Sequence, residues 1–180
     1  MMKLIATTLF LGLFPFLLIG QTLTAIAARW DDNLTEWNIF TDDDDEAQGQ
    51  LEVRWGREGR EWDYRIDEYI GSIEQRWRED PTQWEMRGDN EIITARTIWF
   101  DNLTEWRLTD NDITLTLKPR WGTFANEWVI EEEKYGKFEM YTEYEFDPRD
   151  WVIIDELDED ISLNMKMAIV FLVVYHSIRE

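Results

Sequence analysis

Arg76-Trp77-Arg78-Glu79-Asp80-Pro81-Thr82-Gln83-Trp84-Glu85-Met86 is the stretch whose reading decides the fold. It holds two tryptophans with six residues between them, and the frame recurs along the chain. Trp30/Trp37, Trp55/Trp62, Trp99/Trp106 and Trp121/Trp128 repeat it, and Tyr144/Trp151 keeps it with tyrosine in the first slot. All 11 tryptophans fall into this W-x6-W frame. First members follow one another at 25, 22, 22, 22 and 23 residues. Such a period marks a tandem array of small supersecondary units.

Working outward from each pair, the flanks alternate. Leu51, Val53 and Trp55 share a parity, as do Ile73, Gln75 and Trp77. After the second tryptophan the pattern Trp62-x-Tyr64-x-Ile66 and Trp84-x-Met86 continues it. Period two with aromatic and β-branched content means strand. Asp32-Asn33, Gly56, Asp80-Pro81, Asp101-Asn102, Gly122 and Asp147-Pro148 lie between the strands and supply turn chemistry. Each unit is therefore predicted to be a β-hairpin, with its two tryptophans facing each other across the strands. Arg29, Arg54, Arg76 and Arg120 precede first tryptophans, while Glu36, Glu61, Gln83, Glu105, Glu127 and Asp150 precede second ones. These positions predict cross-strand ion pairs on the polar face.

Six hairpins give about twelve strands, and Ile161 to Tyr175 is read as a thirteenth. Short connections predict an all-β, antiparallel up-and-down meander. A sheet with one apolar face has to close on itself or fold into two layers. At about 4.8 Å per strand a round twelve-strand barrel is more than 20 Å across, which tryptophans alone do not fill. The expectation is a flattened barrel or two-layer sandwich, with an open ligand cavity as the alternative. Pro119 inside a strand predicts a bulge or a locally unpaired edge, since it cannot donate to the ladder. Ala168 to Tyr175 is apolar on both faces, so it needs a cover from within the chain or from a second copy, which would make a homo-oligomer.

Residues 1–27 differ from the rest: Lys3, an apolar run from Leu4 to Gly20, and Ala25-Ile26-Ala27. They read as a signal peptide, leaving residues 28–180 as one secreted or periplasmic domain with no integral membrane span. An outer-membrane barrel fits poorly, because the strands are short and the tryptophans do not form two girdles. Net charge is −21, and −22 without Lys3. That balance disfavours nucleic acid and anionic lipid and leaves polysaccharide or a basic protein as partner classes. The absence of cysteine rules out disulfides and thiolate metal sites.

Between hairpins, windows 41–46, 67–70, 88–91, 109–112, 131–133 and 155–160 contain 19 acids and no base. A meander brings them to one rim. Asp42, Asp43, Asp44, Asp45 and Glu46 form the densest group and are the candidate calcium ligands, although no loop has the D-x-[DN]-x-[DN]-G spacing. The tryptophans raise sugar stacking; their shared parity with Ile, Leu and Val assigns most of them to the core, and Trp30 and Trp37 of the terminal hairpin are the ligand-binding candidates. Catalysis has little support. His176 is the only histidine, Ser72, Ser162 and Ser177 lie in no triad pattern, and no phosphate loop or H-E-x-x-H is present. The functional expectation is a non-catalytic binding or surface-structural module without a cofactor, with a glycan-acting enzyme using rim carboxylates, or a calcium-dependent interaction protein, as the alternatives. The layout resembles other short aromatic hairpin repeats, such as those of choline-binding modules. Their residue pattern differs from W-x6-W-x-[IML], so no ligand carries across.

Overall fold

The computed structural model describes residues 22–42, 46–100, 102–122 and 124–179. The chain runs through six antiparallel hairpins: β1 (Leu23–Trp30) with β2 (Asn33–Thr41), β3 (Gly49–Val53) with β4 (Glu61–Ile66), β5 (Tyr69–Trp77) with β6 (Asp80–Gly88), β7 (Glu91–Thr97) with β8 (Trp106–Thr109), β9 (Thr114–Trp121) with β10 (Phe124–Glu132), and β11 (Gly136–Thr142) with β12 (Asp150–Leu157). Each strand pairs with its neighbours in sequence, and β1 pairs with β12, so the meander closes into a barrel. Three pairs make that seam: Ala25↔Val152, Ile26↔Trp151 and Ala27↔Asp150. Closure leaves no free sheet edge.

The thirteenth strand does not form. Leu163–Arg179 is a helix, α1, and every residue from Asn164 to Tyr175 on it is buried. A run apolar on all sides has no period to separate a buried strand from a buried helix, and a helix apolar all round belongs in a core. The lumen supplies that core. A helix with its side chains is about 10–12 Å wide, which together with the inward side chains fills a bore too wide for tryptophans alone. The barrel is therefore closed, with the helix buried inside it. Ser162 caps the helix by accepting the Met165 N–H at 3.1 Å. Because Ala168 to Tyr175 sits inside the wall, it presents no strand to a second copy, and the expected homo-oligomer through the last strand has no surface to use.

Inward residues of the wall meet the helix. Trp62 and Trp84 pack edge-on against Phe171, with ring centroids 5.6 and 4.8 Å apart, and Trp84 also meets Tyr175. Two polar contacts fix the helix inside. Lys166 Nζ lies 2.8 Å from Asp155 Oδ2 with both side chains almost fully buried, and Tyr64 donates to Asn164 Oδ1 at 2.9 Å. Burial, followed by the nearby charges of Glu91 and Asp89, pushes the Tyr64 hydroxyl well above the usual tyrosine range. Its ring lies across Gly71 and Gly88, where a Cβ would come within 2.2 and 2.7 Å of ring or hydroxyl atoms. Glycine at both positions makes room for that aromatic.

The acidic turns between hairpins gather at the end where the helix enters. Asp89 and Asn90 form a two-residue turn between Gly88 and Glu91, both with positive φ, as a type I′ turn requires. Pro119 pairs with Trp128 next to a register shift, which is the expected bulge. The seam bears on the expected boundary at residue 27: Leu23 and Ile26 are buried core residues, and Ala25, Ile26 and Ala27 are the whole β1 side of the β1–β12 ladder. Among the described residues, no helix is long and apolar enough to cross a membrane.

Candidate functional site

The hairpin loops of the W-x6-W frame emerge at the other rim, where the C-terminal end of α1 lies. There the two slots of the frame part company. Second-slot Trp37, Trp62, Trp84, Trp106, Trp128 and Trp151 are 0–2 % exposed, whereas first-slot Trp30, Trp55, Trp77, Trp99, Trp121 and Tyr144 are 50–96 % exposed. The expected face-to-face pairing within a unit does not occur. Trp37 faces Ala28, Trp62 faces Val53, Trp84 faces Gln75, and Trp106 faces Thr97. Register shifts between Ala28 and Trp30 and between Gln75 and Trp77 turn the strand ends, so a residue of inward parity leaves the barrel at its lip.

A small loop motif sets the buried slot. In all six hairpins the second indole donates its N–H to the carbonyl three residues earlier: Leu34, Gly59, Pro81, Leu103, Ala125 and Pro148, at 2.7–3.0 Å. In four loops a side chain one residue before that carbonyl accepts the backbone N–H two positions on: Asn33 from Thr35, Asp80 from Thr82, Asn102 from Thr104 and Asp147 from Arg149. These are Asx turns. The readable signal is [ND]-[LP]-[TR]-x-W, as in Asn33-Leu34-Thr35-Glu36-Trp37 and Asp80-Pro81-Thr82-Gln83-Trp84. That signal is legible in the sequence, but strand parity alone does not reveal it. The Asp80-Pro81 step, read as the turn itself, instead begins β6 after the turn at Arg78-Glu79.

The outer slot is anchored by the residue preceding its partner. Trp30, Trp99 and Trp121 donate their indole N–H to Glu36, Glu105 and Glu127 at 3.1, 2.8 and 2.6 Å. The predicted cross-strand pairs form at three hairpins: Arg29–Glu36 at 3.5 Å, Arg54–Glu61 at 2.8 Å and Arg120–Glu127 at 3.0 Å. Arg29 and Arg76 also lie over the rings of Trp30 and Trp77, at 5.4 and 5.8 Å. Such contacts tether an indole at the lip while much of its surface stays exposed. Phe100 and Phe146, at 91 % and 70 % exposure, extend the apolar ring. The Arg149 fork on Asp147 lowers that carboxyl to about 2, so it stays ionised well into the acid range.

Of the nominated residues, Trp30 belongs to this ring, while Trp37 is core and presents no face to a ligand. Asp42 and Glu46 are exposed at the opposite rim, and Asp43, Asp44 and Asp45 lie outside the described residues. No group of three or more His, Cys, Asp or Glu among the described residues is placed to hold a metal ion. His176 packs edge-on against Trp128 at 5.1 Å inside the mouth of the barrel. In comparisons with known proteins, no family model, no curated protein and no solved structure matches this chain.

Proposed function

We propose that this chain is a secreted or periplasmic, non-catalytic module that binds polysaccharide through the aromatic rim. The observation that carries this reading is the exposure of all six first-slot aromatics at one end of a rigid, filled barrel. An exposed apolar ring of this size marks an interaction surface. The C–H face of a pyranose packs on an indole face, and the carboxylates beside Trp30, Trp99 and Trp121 accept hydrogen bonds from hydroxyls. A bilayer is a poorer fit, because those same carboxylates would have to leave water beside the indoles. Six similar platforms in a ring suit a repeating polymer, where several weak contacts add as avidity. The leader of this reading ends upstream of Leu23, since β1 is needed to close the wall.

Acrylamide quenching of the tryptophan fluorescence, with and without a panel of soluble neutral glucans, mannans and xylans, tests the proposal. The exposed indoles form an accessible fraction, and one polymer protects it. Trp55→Ala and Trp99→Ala each weaken that binding roughly three- to tenfold. An accessible fraction that no polysaccharide protects discards the glycan reading.

A further inference from the structure

On the outer wall between β7 and β8, away from the aromatic rim, Arg96 and Arg107 are direct cross-strand partners. Like charges opposite each other on adjacent strands destabilise a sheet. Several other arginines of the wall are matched: Arg54 by Glu61 and Asp63, Arg120 by Glu127 and Glu139, Arg87 by Glu85. Arg96 and Arg107 make no ion pair with any described residue, in a chain with 39 acids to choose from. The neighbouring carboxylates are engaged, Glu105 by the Trp99 indole and Glu85 by Arg87. Flanking positions are neutral: Gln83 beside Arg96, Thr116 beside Arg107, and Thr94 opposite Thr109. The two arginines line a groove with Thr94, Thr97, Ile98 and Thr109.

We propose that this groove binds one tetrahedral oxyanion, a phosphate or sulfate group, between the Arg96 and Arg107 guanidinium forks. Each planar fork offers parallel N–H donors to two oxygens, and an anion between them turns a repulsive pair into two attractive ones. The hydroxyl of Thr94, on the same outer face, adds a neutral donor at the edge. The overall charge of −21 does not exclude an anion here, because at physiological salt charges more than about 8 Å away are largely screened. The site does not depend on the aromatic rim being a glycan surface. It lies three residues from Trp99 along the chain, about 10 Å in extended backbone, within reach of an ester on the same polymer.

The test is titration of the full barrel with sodium phosphate and sodium sulfate at ionic strength held constant with chloride, read on the Arg side-chain Nε–H signals. Saturable shifts at Arg96 and Arg107, with none at Arg65, are expected, and Arg96→Gln weakens them roughly tenfold, as loss of charge-assisted hydrogen bonds implies. Arg107→Glu supplies a built-in partner: it raises Tm in chloride buffer and abolishes the anion response. Shifts that fail to saturate, or that are equal at Arg65, identify an unspecific counter-ion effect and overturn the proposal. So does a phosphate response that survives Arg107→Glu. Dextran sulfate binding far more tightly than inorganic sulfate, with unmodified dextran silent, identifies a polymer ester as the source; equal affinities identify the free ion. Both outcomes support an oxyanion site.

Discussion

Each second-slot indole is held twice, by burial against the helix or its neighbours and by donating to a loop carbonyl three residues back. First-slot indoles have at most a carboxylate or an arginine at the lip. The two slots therefore carry different energies despite identical chemistry. Trp84→Phe leaves the Pro81 carbonyl without its donor and shortens the contact with Phe171 and Tyr175. It is expected to cost about 2 kcal/mol in denaturant unfolding, the usual scale for a buried acceptor left unmatched. Trp77→Ala changes an exposed residue and is expected to stay within about 0.5 kcal/mol. Equal costs at both positions would show that the outer ring is structural. The frame itself was legible in the sequence, but the slots were not separable by parity, because first-slot and second-slot residues both continue the inward series. What separates them is where the barrel wall ends.

At the level of elements, the twelve strands could be read from alternation, and the helix could not. Leu163 to Tyr175 offers no polar face to betray a 3.6-residue period, except at Asn164 and Lys166, and both polar residues are there to meet the wall. Asp155 falls within one of the acidic windows between hairpins, yet it points inward and binds Lys166. A buried ion pair costs heavily to desolvate and gives most of that back only when both partners are present. Lys166→Met alone and Asp155→Leu alone are each expected to lose about 3–5 kcal/mol, whereas the double variant Lys166→Met/Asp155→Leu loses much less than their sum. Urea unfolding of the four proteins closes the cycle, and simple additivity of the single losses would rule the pairing out as the cause.

For the whole molecule, closure rests on a short ladder in the wall. The β1–β12 seam has three paired positions, all supplied on one side by Ala25, Ile26 and Ala27. A chain beginning at Thr22 is expected to unfold cooperatively, whereas one beginning at Ala28 loses the seam together with buried Leu23 and Ile26. The shorter chain should melt earlier and over a broader range by circular dichroism, and it should bind apolar dyes as an open edge does. Indistinguishable melts would mean that the wall does not need β1. The closed architecture was predictable from short connections and a one-sided sheet. Its contents were not, because filling is a property of volume, and a hydropathy pattern does not state which segment turns inward.

The wall repeats itself six times, and the rod within it does not. Seen down the axis, six near-equivalent hairpins offer the helix six nearly degenerate rotational settings, each with an indole in the same place. Shape alone hardly chooses among them. The choice falls to two off-axis pins, Lys166 on Asp155 and Tyr64 on Asn164, which occur once each around the ring. They act as a key in a lock of high symmetry: they set the phase of the assembly more than its strength, and they make six chemically alike tryptophans six distinguishable ones.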